Sequence, residues 1–146
     1  MSECSHQLVV AAVIVDSLSS PTSILAARRT YPPALAGQWE FPGGKALQTE
    51  SAHEALKREL LEELGVQIIL GEEVFNNSGS WTISHKYSMR LFLAAIESGV
   101  PKPLVAHDRL EWVPIGELDR IQWLPADQQA ITAVRLLTKD KRGRCS

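Results

Sequence analysis

The stretch GKALQTESAHEALKRELLEELGV, residues 44–66, decides how the rest of the chain is read. Within it Gly44, Glu50, Arg58, Glu59, Leu60, Glu62, Glu63, Gly65 and Val66 follow the spacing G-x5-E-x7-R-E-L-x-E-E-x-G-V. Glu59, Glu62 and Glu63 are three and four residues apart, so on an α-helix their side chains share one face at about 5–6 Å separation. Carboxylates crowded like this repel one another unless a cation sits among them. Hard divalent cations take oxygen ligands, and Mg²⁺ accepts a few carboxylates and fills its shell with water and substrate phosphates. A merely solvated acidic face has the same charges, so the flanking residues decide between the two.

Those residues agree with a functional helix. Gly43-Gly44-Lys45 allows a tight turn in which backbone groups approach a ligand. Ser51 with Glu54 reads as a capping box, and Gly65 as the C-terminal stop. Ala52, Leu56, Leu60, Leu61 and Leu64 supply an inner face.

The pattern resembles the Nudix box, the signature of hydrolases that cleave a nucleoside diphosphate linked to another group. From average residue usage, a chance match of all nine positions has odds below about one in a million. Leu47 and Thr49 stand where the family often has Glu and Gly, which affects the loop more than the chemistry. The resemblance covers nearly the whole chain and implies an α/β protein with the Nudix fold, a three-layer αβα sandwich with a mixed β-sheet. Trp39-Glu40-Phe41-Pro42-Gly43-Gly44-Lys45 is similar to the MutT-like branch that contains the 8-oxo-dGTP and CTP/dCTP diphosphatases. Leu25-Ala26-Ala27-Arg28-Arg29 occupies the strand before it.

Carried onto this sequence, the resemblance makes Glu59 and Glu63 Mg²⁺ ligands together with the carbonyl of Gly43. Glu62 binds directly or through water, and Mn²⁺ can substitute. Arg58 completes the expected catalytic set with Glu59, Glu62 and Glu63, its role being to pair with Glu50 and hold the loop on the helix. Lys45 is expected on phosphate, and Arg29, Glu40, Phe41 and Asp127 at the base or sugar. The implied reaction is attack of water on the triphosphate chain, giving a nucleoside monophosphate and pyrophosphate, with Glu62 or Glu63 taking the proton.

Two positions outside the box bear on activity and selectivity. Relatives often have an acid just before the histidine of a segment that here reads Ala106-His107-Asp108-Arg109-Leu110-Glu111-Trp112; this chain has Ala106, with Asp108 and Glu111 as alternatives and His107 as a structural residue. Asp127 stands where the bacterial MutT type has Asn, and Asp there resembles the CTP/dCTP enzymes. An ionised carboxylate accepts a hydrogen bond from the exocyclic amine of cytosine, whereas the O6 of a guanine-type base repels it. Guanine's N1–H and N2 amine, or a protonated Asp127, reverse that preference in another pose. Asp127 also reads as the N-cap of the last helix.

Length and composition fit one domain: 146 residues, 45% apolar and 22% charged. A net charge of −2 with a pI near 6.1 gives no basic field for a nucleic-acid polymer. The expected partner is a nucleoside triphosphate, and the chain a monomer or homodimer. The longest apolar run, Leu8–Val15, falls short of the roughly 20 residues that cross a bilayer, so no membrane is expected and the expected location is cytoplasmic. Cys4 and Cys145 lack metal or disulfide spacing.

Leu8–Val15, Ser23–Arg29, Gln67–Phe75, Tyr87–Glu97 and Leu110–Val113 read as strands, with brief pairing at Trp39–Phe41. Asn76–Lys86 reads as a polar loop, in which Trp81 is the best aromatic for stacking on a base. Pro114–Leu118 reads as a helical turn. A terminal helix turns Ala130, Ile131, Val134 and Leu137 inward, so that a single domain fills 1–138 and a disordered basic tail 139–146. Three readings remain open: a CTP/dCTP or 5-methyl-cytidine nucleotide pyrophosphohydrolase, an 8-oxo-dGTP diphosphatase that sanitises the nucleotide pool in support of DNA repair, and a Nudix-fold module that binds without hydrolysis.

Overall fold

Leu8–Val15 is apolar at every position, and a strand with no polar face must be buried on both sides. The computed structural model describes residues 7–76, 80–104 and 107–143 and puts this run at the centre. The chain runs β1 (Gln7–Ile14), β2 (Ser23–Arg29), a short 3₁₀ turn (Pro33–Leu35), β3 (Trp39–Glu40), β4 (Gly43–Lys45) and α1 (Ala52–Leu64). It continues through β5 (Gln67–Val74), β6 (Trp81–Thr82), β7 (Tyr87–Ser98), β8 (His107–Pro114), a 3₁₀ turn (Ile115–Arg120), α2 (Pro125–Gln128) and α3 (Ile131–Gly143).

Side chains alternate along β1, so its even and odd positions feed two cores. Val10, Ala12 and Ile14 pack with Phe92 and Ala94 under Ala52, Ala55, Leu56, Leu60 and Leu64 of α1. Ala11, Val13 and Val15 pack with Leu91 and Leu93 against Ala130, Ile131 and Val134 at the start of α3. A sheet with a helix on each face is the expected three-layer arrangement. The mixed sheet has the order β4-β1-β7-β5 with β6 also on β7, and only β1 and β7 run parallel. A second, antiparallel sheet, β3-β2-β8, accompanies it. The Asp16 carboxylate turns the chain between them, accepting the Thr22 N–H at 2.8 Å and the Ser23 N–H at 3.2 Å.

Helix α1 has the caps read from sequence. The Glu54 N–H donates to Ser51 Oγ at 3.1 Å, the Ser51 N–H to Glu54 Oε1 at 2.9 Å, and Gly65 closes the helix at φ 73°. Leu61 is 51% exposed, and Ala55, which lies on the buried stripe, takes its expected place. The glycine turn is a strand, because Val10 pairs with Gly44 and Ala11 with Gly43. The polar segment contributes β6, and Trp81 is a core residue whose indole N–H donates to the Val74 carbonyl at 2.8 Å. That contact removes it as a base-stacking candidate.

Three further expectations change near the C-terminal end. Strand β8 begins at His107, earlier than Leu110. Asp127 is not an N-cap: Trp39 and Trp123 form a bridge, the chain bends at Pro125, and α2 starts after Leu124 with no side-chain cap. Helix α3 passes position 138 and runs to Gly143, with Lys141 ion-paired to Glu72. Cys4, Asn77–Gly79, Ala106, Arg144 and Cys145 lie outside the described residues. Among the described residues no helix is long and apolar enough to cross a membrane.

A methyl group on Gly43 would lie 2.0 Å from the Val10 carbonyl oxygen, whereas one on Gly116 meets nothing within 4 Å. Gly43→Ala is therefore expected to cost more than about 2 kcal/mol of unfolding free energy. Gly116→Ala should stay within about 0.5 kcal/mol of wild type. Denaturant titration checks both, and equal effects would refute the close approach of β4 to β1.

Candidate active site

Arg58 projects from the middle of α1 and draws the preceding loop onto the helix. Its Nε donates to Glu50 Oε2 at 2.6 Å and its Nη2 to Glu50 Oε1 at 3.0 Å, a bidentate fork. Nη2 also reaches the Lys45 carbonyl at 3.2 Å, and Glu50 Oε1 accepts the Leu47 N–H at 2.9 Å. The fork holds the Glu50 carboxyl below the usual carboxylate range and raises the Arg58 guanidinium further. Nη1 contacts Glu59 and Glu62, each at 3.2 Å. The loop-holding role expected of the Arg58–Glu50 pair thus has direct geometry.

The three box glutamates point in different directions. The Glu59 carboxyl lies over Gly44, where an added methyl would come within 2.3 Å of it. Burial raises its pKa, with Arg58 opposing and Glu62 adding. Glu62 is 57% exposed on the solvent side of Arg58. Glu63 turns inward; burial, opposed by His107 and reinforced by Glu40 and Glu59, pushes its pKa up to about 7. Its Oε1 is buried and has no hydrogen-bond partner.

Beside this helix face lies a cavity of about 280 Å³. Arg29, Glu40, Phe41, Gly43, Lys45 and Asp127, all expected at substrate or metal, line it together. Gly44, Leu35, Ile83, Met89 and Leu124 complete much of the apolar wall. Arg29 is held by donating Nη1 to Glu40 at 2.9 Å and Nε to the Tyr31 carbonyl at 2.8 Å. Phe41 packs on Trp123 with ring centroids 4.8 Å apart. Lys45 Nζ sits 5.2 Å above the Tyr87 ring. Asp127 is only 4% exposed, and burial lifts its pKa well above the ordinary range; Glu40 adds to this, while Arg29 and the Phe41 N–H oppose it.

The structure also shows where the remaining candidates go. Asp108 is tied to Arg28 by bonds of 2.9 and 2.8 Å, and Glu111 to Arg120 at 2.6 Å, so neither faces the box glutamates. His107, read from sequence as structural, has a side chain with 0% exposure and contacts two acids of the site. Nothing local in the sequence announces that contact, because Glu40 and Glu63 come from other elements.

The donors suit a hard divalent ion in type: three carboxylates and a backbone carbonyl. The buried Glu63 Oε1 has no hydrogen-bond partner, which fits an oxygen available to ligate a cation. Among the described residues no group of three or more His, Cys, Asp or Glu side chains is already gathered around one point. Arg58 engages Glu59 and Glu62 instead, while Glu63 faces His107.

A family model described as the NUDIX domain matches residues 5–134. The chain belongs to the Nudix hydrolase family, whose members need a divalent metal ion. It is 36% identical over 126 residues to a Mycobacterium tuberculosis protein named "Putative 8-oxo-dGTP diphosphatase 2", covering 84% of each chain. It is 33% identical over 133 residues to the CTP pyrophosphohydrolase of Escherichia coli, covering 88% of this chain and 91% of that one. The solution structure of the E. coli ORF135 protein superposes with a TM-score of 0.72 at 32% identity, covering 90% of both chains.

Glu63 has a folded pKa of about 7 against an ordinary 4.5, so between those values the folded chain keeps a proton that the unfolded chain has released. Its contribution is fully present below pH 4.5 and is lost as pH rises through 7. Without divalent ions, the melting temperature of wild type minus that of Glu63→Gln is expected to fall from pH 5 to pH 8. Added Mg²⁺ or Mn²⁺ should stabilise wild type more at pH 8 than at pH 5. A difference independent of pH would overturn the assignment of a buried, cation-deficient Glu63.

Proposed function

We propose that this protein is a Mg²⁺-dependent nucleoside triphosphate pyrophosphohydrolase that prefers cytosine nucleotides. One observation carries the base assignment: buried Asp127 shares a cavity with Glu40 and Arg29, and that cavity runs to Gly43, Gly44 and Lys45. Base and phosphates then lie along one short backbone segment.

Burial favours the neutral acid at Asp127, which changes the argument made for an ionised carboxylate. With the Phe41 N–H on the side chain, a neutral carboxyl still offers one donor and one acceptor to the cavity. Cytosine presents the matching pair, an N3 acceptor beside the N4 amine. A second reading, hydrolysis of 8-oxo-dGTP, is favoured by Arg29 and the Phe41 N–H, which pull Asp127 towards ionisation. A carboxylate accepts from guanine's N1–H and N2 amine together. The names of the two relatives divide along the same line.

Glu59, Glu62, Glu63 and the Gly43 carbonyl would hold the metal. When bound, the ion neutralises phosphate charge and acidifies the attacking water. Glu63 is suited to accept the water's proton, since its buried carboxyl titrates near neutrality. Lys45 lies where the phosphates leave the cavity.

Pyrophosphate release with Mg²⁺ over CTP, dCTP, 5-methyl-dCTP, dGTP, 8-oxo-dGTP and ATP tests the whole reading. Cytidine nucleotides should give the highest kcat/KM; a preference for 8-oxo-dGTP overturns the base assignment, and no turnover leaves the binding-module reading. Glu63→Gln should lower kcat by about 10²–10⁴-fold while the fold persists. Asp127→Asn, whose amide keeps a donor and an acceptor, should retain the cytosine preference. Asp127→Ala should lose about tenfold or more of it. Loss of preference in Asp127→Asn would show that the ionised carboxylate does the reading.

A further inference from the structure

His107 lies at the start of β8 with its side chain fully enclosed, between the base cavity and the acidic face of α1. Nε2 is 2.7 Å from Glu40 Oε2, the same oxygen that accepts Arg29 Nη1 at 2.9 Å. On the other side, Nδ1 is 3.6 Å from Glu63 Oε1. Neither Nδ1 nor Oε1 has a hydrogen-bond partner, although both are buried. Buried polar atoms are nearly always paired, so two orphans facing each other at this distance need an explanation. A single proton between them, with closure by a few tenths of an ångström, satisfies both at once. Hydrogen bonds of catalytic groups are often long in a ligand-free site and tighten when substrate is bound.

We propose that His107 is a positioning residue that joins base recognition to chemistry: Nε2 fixes Glu40 in the base cavity, and Nδ1 sets the place of the Glu63 carboxyl. The row Arg29, Glu40, His107, Glu63 leads from the cavity to the box helix, hydrogen-bonded as far as His107 and with 3.6 Å at its last contact. The inference rests on the roles given above to Glu40 and Glu63. It adds that the two are held in a fixed relation by one rigid ring, so a base that displaces Glu40 also disturbs Glu63. A histidine serving only to fill the core would not need carboxylates at both nitrogens, and an apolar residue of similar volume would fill the same space.

The two nitrogens can be separated by substitution. Glutamine places its amide near the Nε2 position and asparagine near the Nδ1 position, so each keeps one contact and loses the other. His107→Gln is expected to keep KM within about twofold and to lose about tenfold or more in both kcat and Mn²⁺ affinity, as for other partners of metal-binding carboxylates. His107→Asn is expected to raise KM by about tenfold and to keep Mn²⁺ affinity within about twofold, since its loss falls on a substrate contact. Steady-state kinetics on the best triphosphate of the panel gives the first readout, and Mn²⁺ titration followed by electron paramagnetic resonance, without nucleotide, gives the second. Each variant moves one property and spares another, so either one that folds decides the matter. Equal changes of KM and Mn²⁺ affinity in a variant, or no change in either, would overturn the proposal. Absence of turnover in wild type would sink the hydrolase reading instead, and the Mn²⁺ titrations would still decide the role of His107.

Discussion

The site depends on how closely the backbone at Gly43 and Gly44 can be approached from two sides. A methyl on Gly43 would lie 2.0 Å from the Val10 carbonyl oxygen, and one on Gly44 2.3 Å from the Glu59 carboxyl. Strand β4 is thereby wedged between the central strand β1 and helix α1, with no room for side chains at Gly43 and Gly44. Before it come Glu40 and Phe41, which line the cavity; after its last residue, Lys45, comes the loop that Arg58 ties down. The two neighbouring constraints differ in kind. The contact at Gly43 is backbone on backbone and protects the fold, whereas that at Gly44 is backbone against the end of a flexible side chain and protects the placement of one carboxylate.

Charge imbalance is the second theme. Glu50 takes the short bonds of the Arg58 fork and is held in its ionised form, while Glu59 and Glu62 receive only the longer contacts at 3.2 Å. Glu59, Glu63 and Asp127 all have raised pKa values, each with burial as the leading cause. Burial penalises the charged form of each of these carboxyls, and a nearby cation would favour that form again. Arg58, in contact with both Glu59 and Glu62, offsets part of the repulsion among the acids on this helix face.

Features governed by neighbouring residues were legible in the sequence. The capping box at Ser51 and Glu54, the stop at Gly65 and the strand built from Leu8–Val15 each follow from local spacing or an unbroken apolar run. The misread positions are those decided by distant contacts. Gly43 and Gly44 suggest a turn on propensity, yet pairing with β1 makes them a strand. Asp127 suggests a cap, but the bridge between Trp39 and Trp123 shifts the turn to Pro125 and leaves Asp127 buried against Phe41. Trp81 stands in a polar segment and is buried because its indole N–H finds the Val74 carbonyl. His107 meets Glu40 from 67 positions away, a contact no local pattern reports.

Asp127 is tied into the architecture of the fold as well as into the lining of the cavity. Its side chain accepts the N–H of Phe41, two residues before Gly43, so it both faces the cavity and attaches α2 to the segment that leads into β4. Leu124 and Trp39 add a backbone bond of 2.8 Å between the same two segments. The cavity floor and the segment that leads into β4 are therefore parts of one hydrogen-bonded unit. A residue without an acceptor at position 127 would leave a buried Phe41 N–H unpaired. Side chains at this position that retain an acceptor can then keep the link between α2 and the segment leading into β4, while helix α1 needs no change.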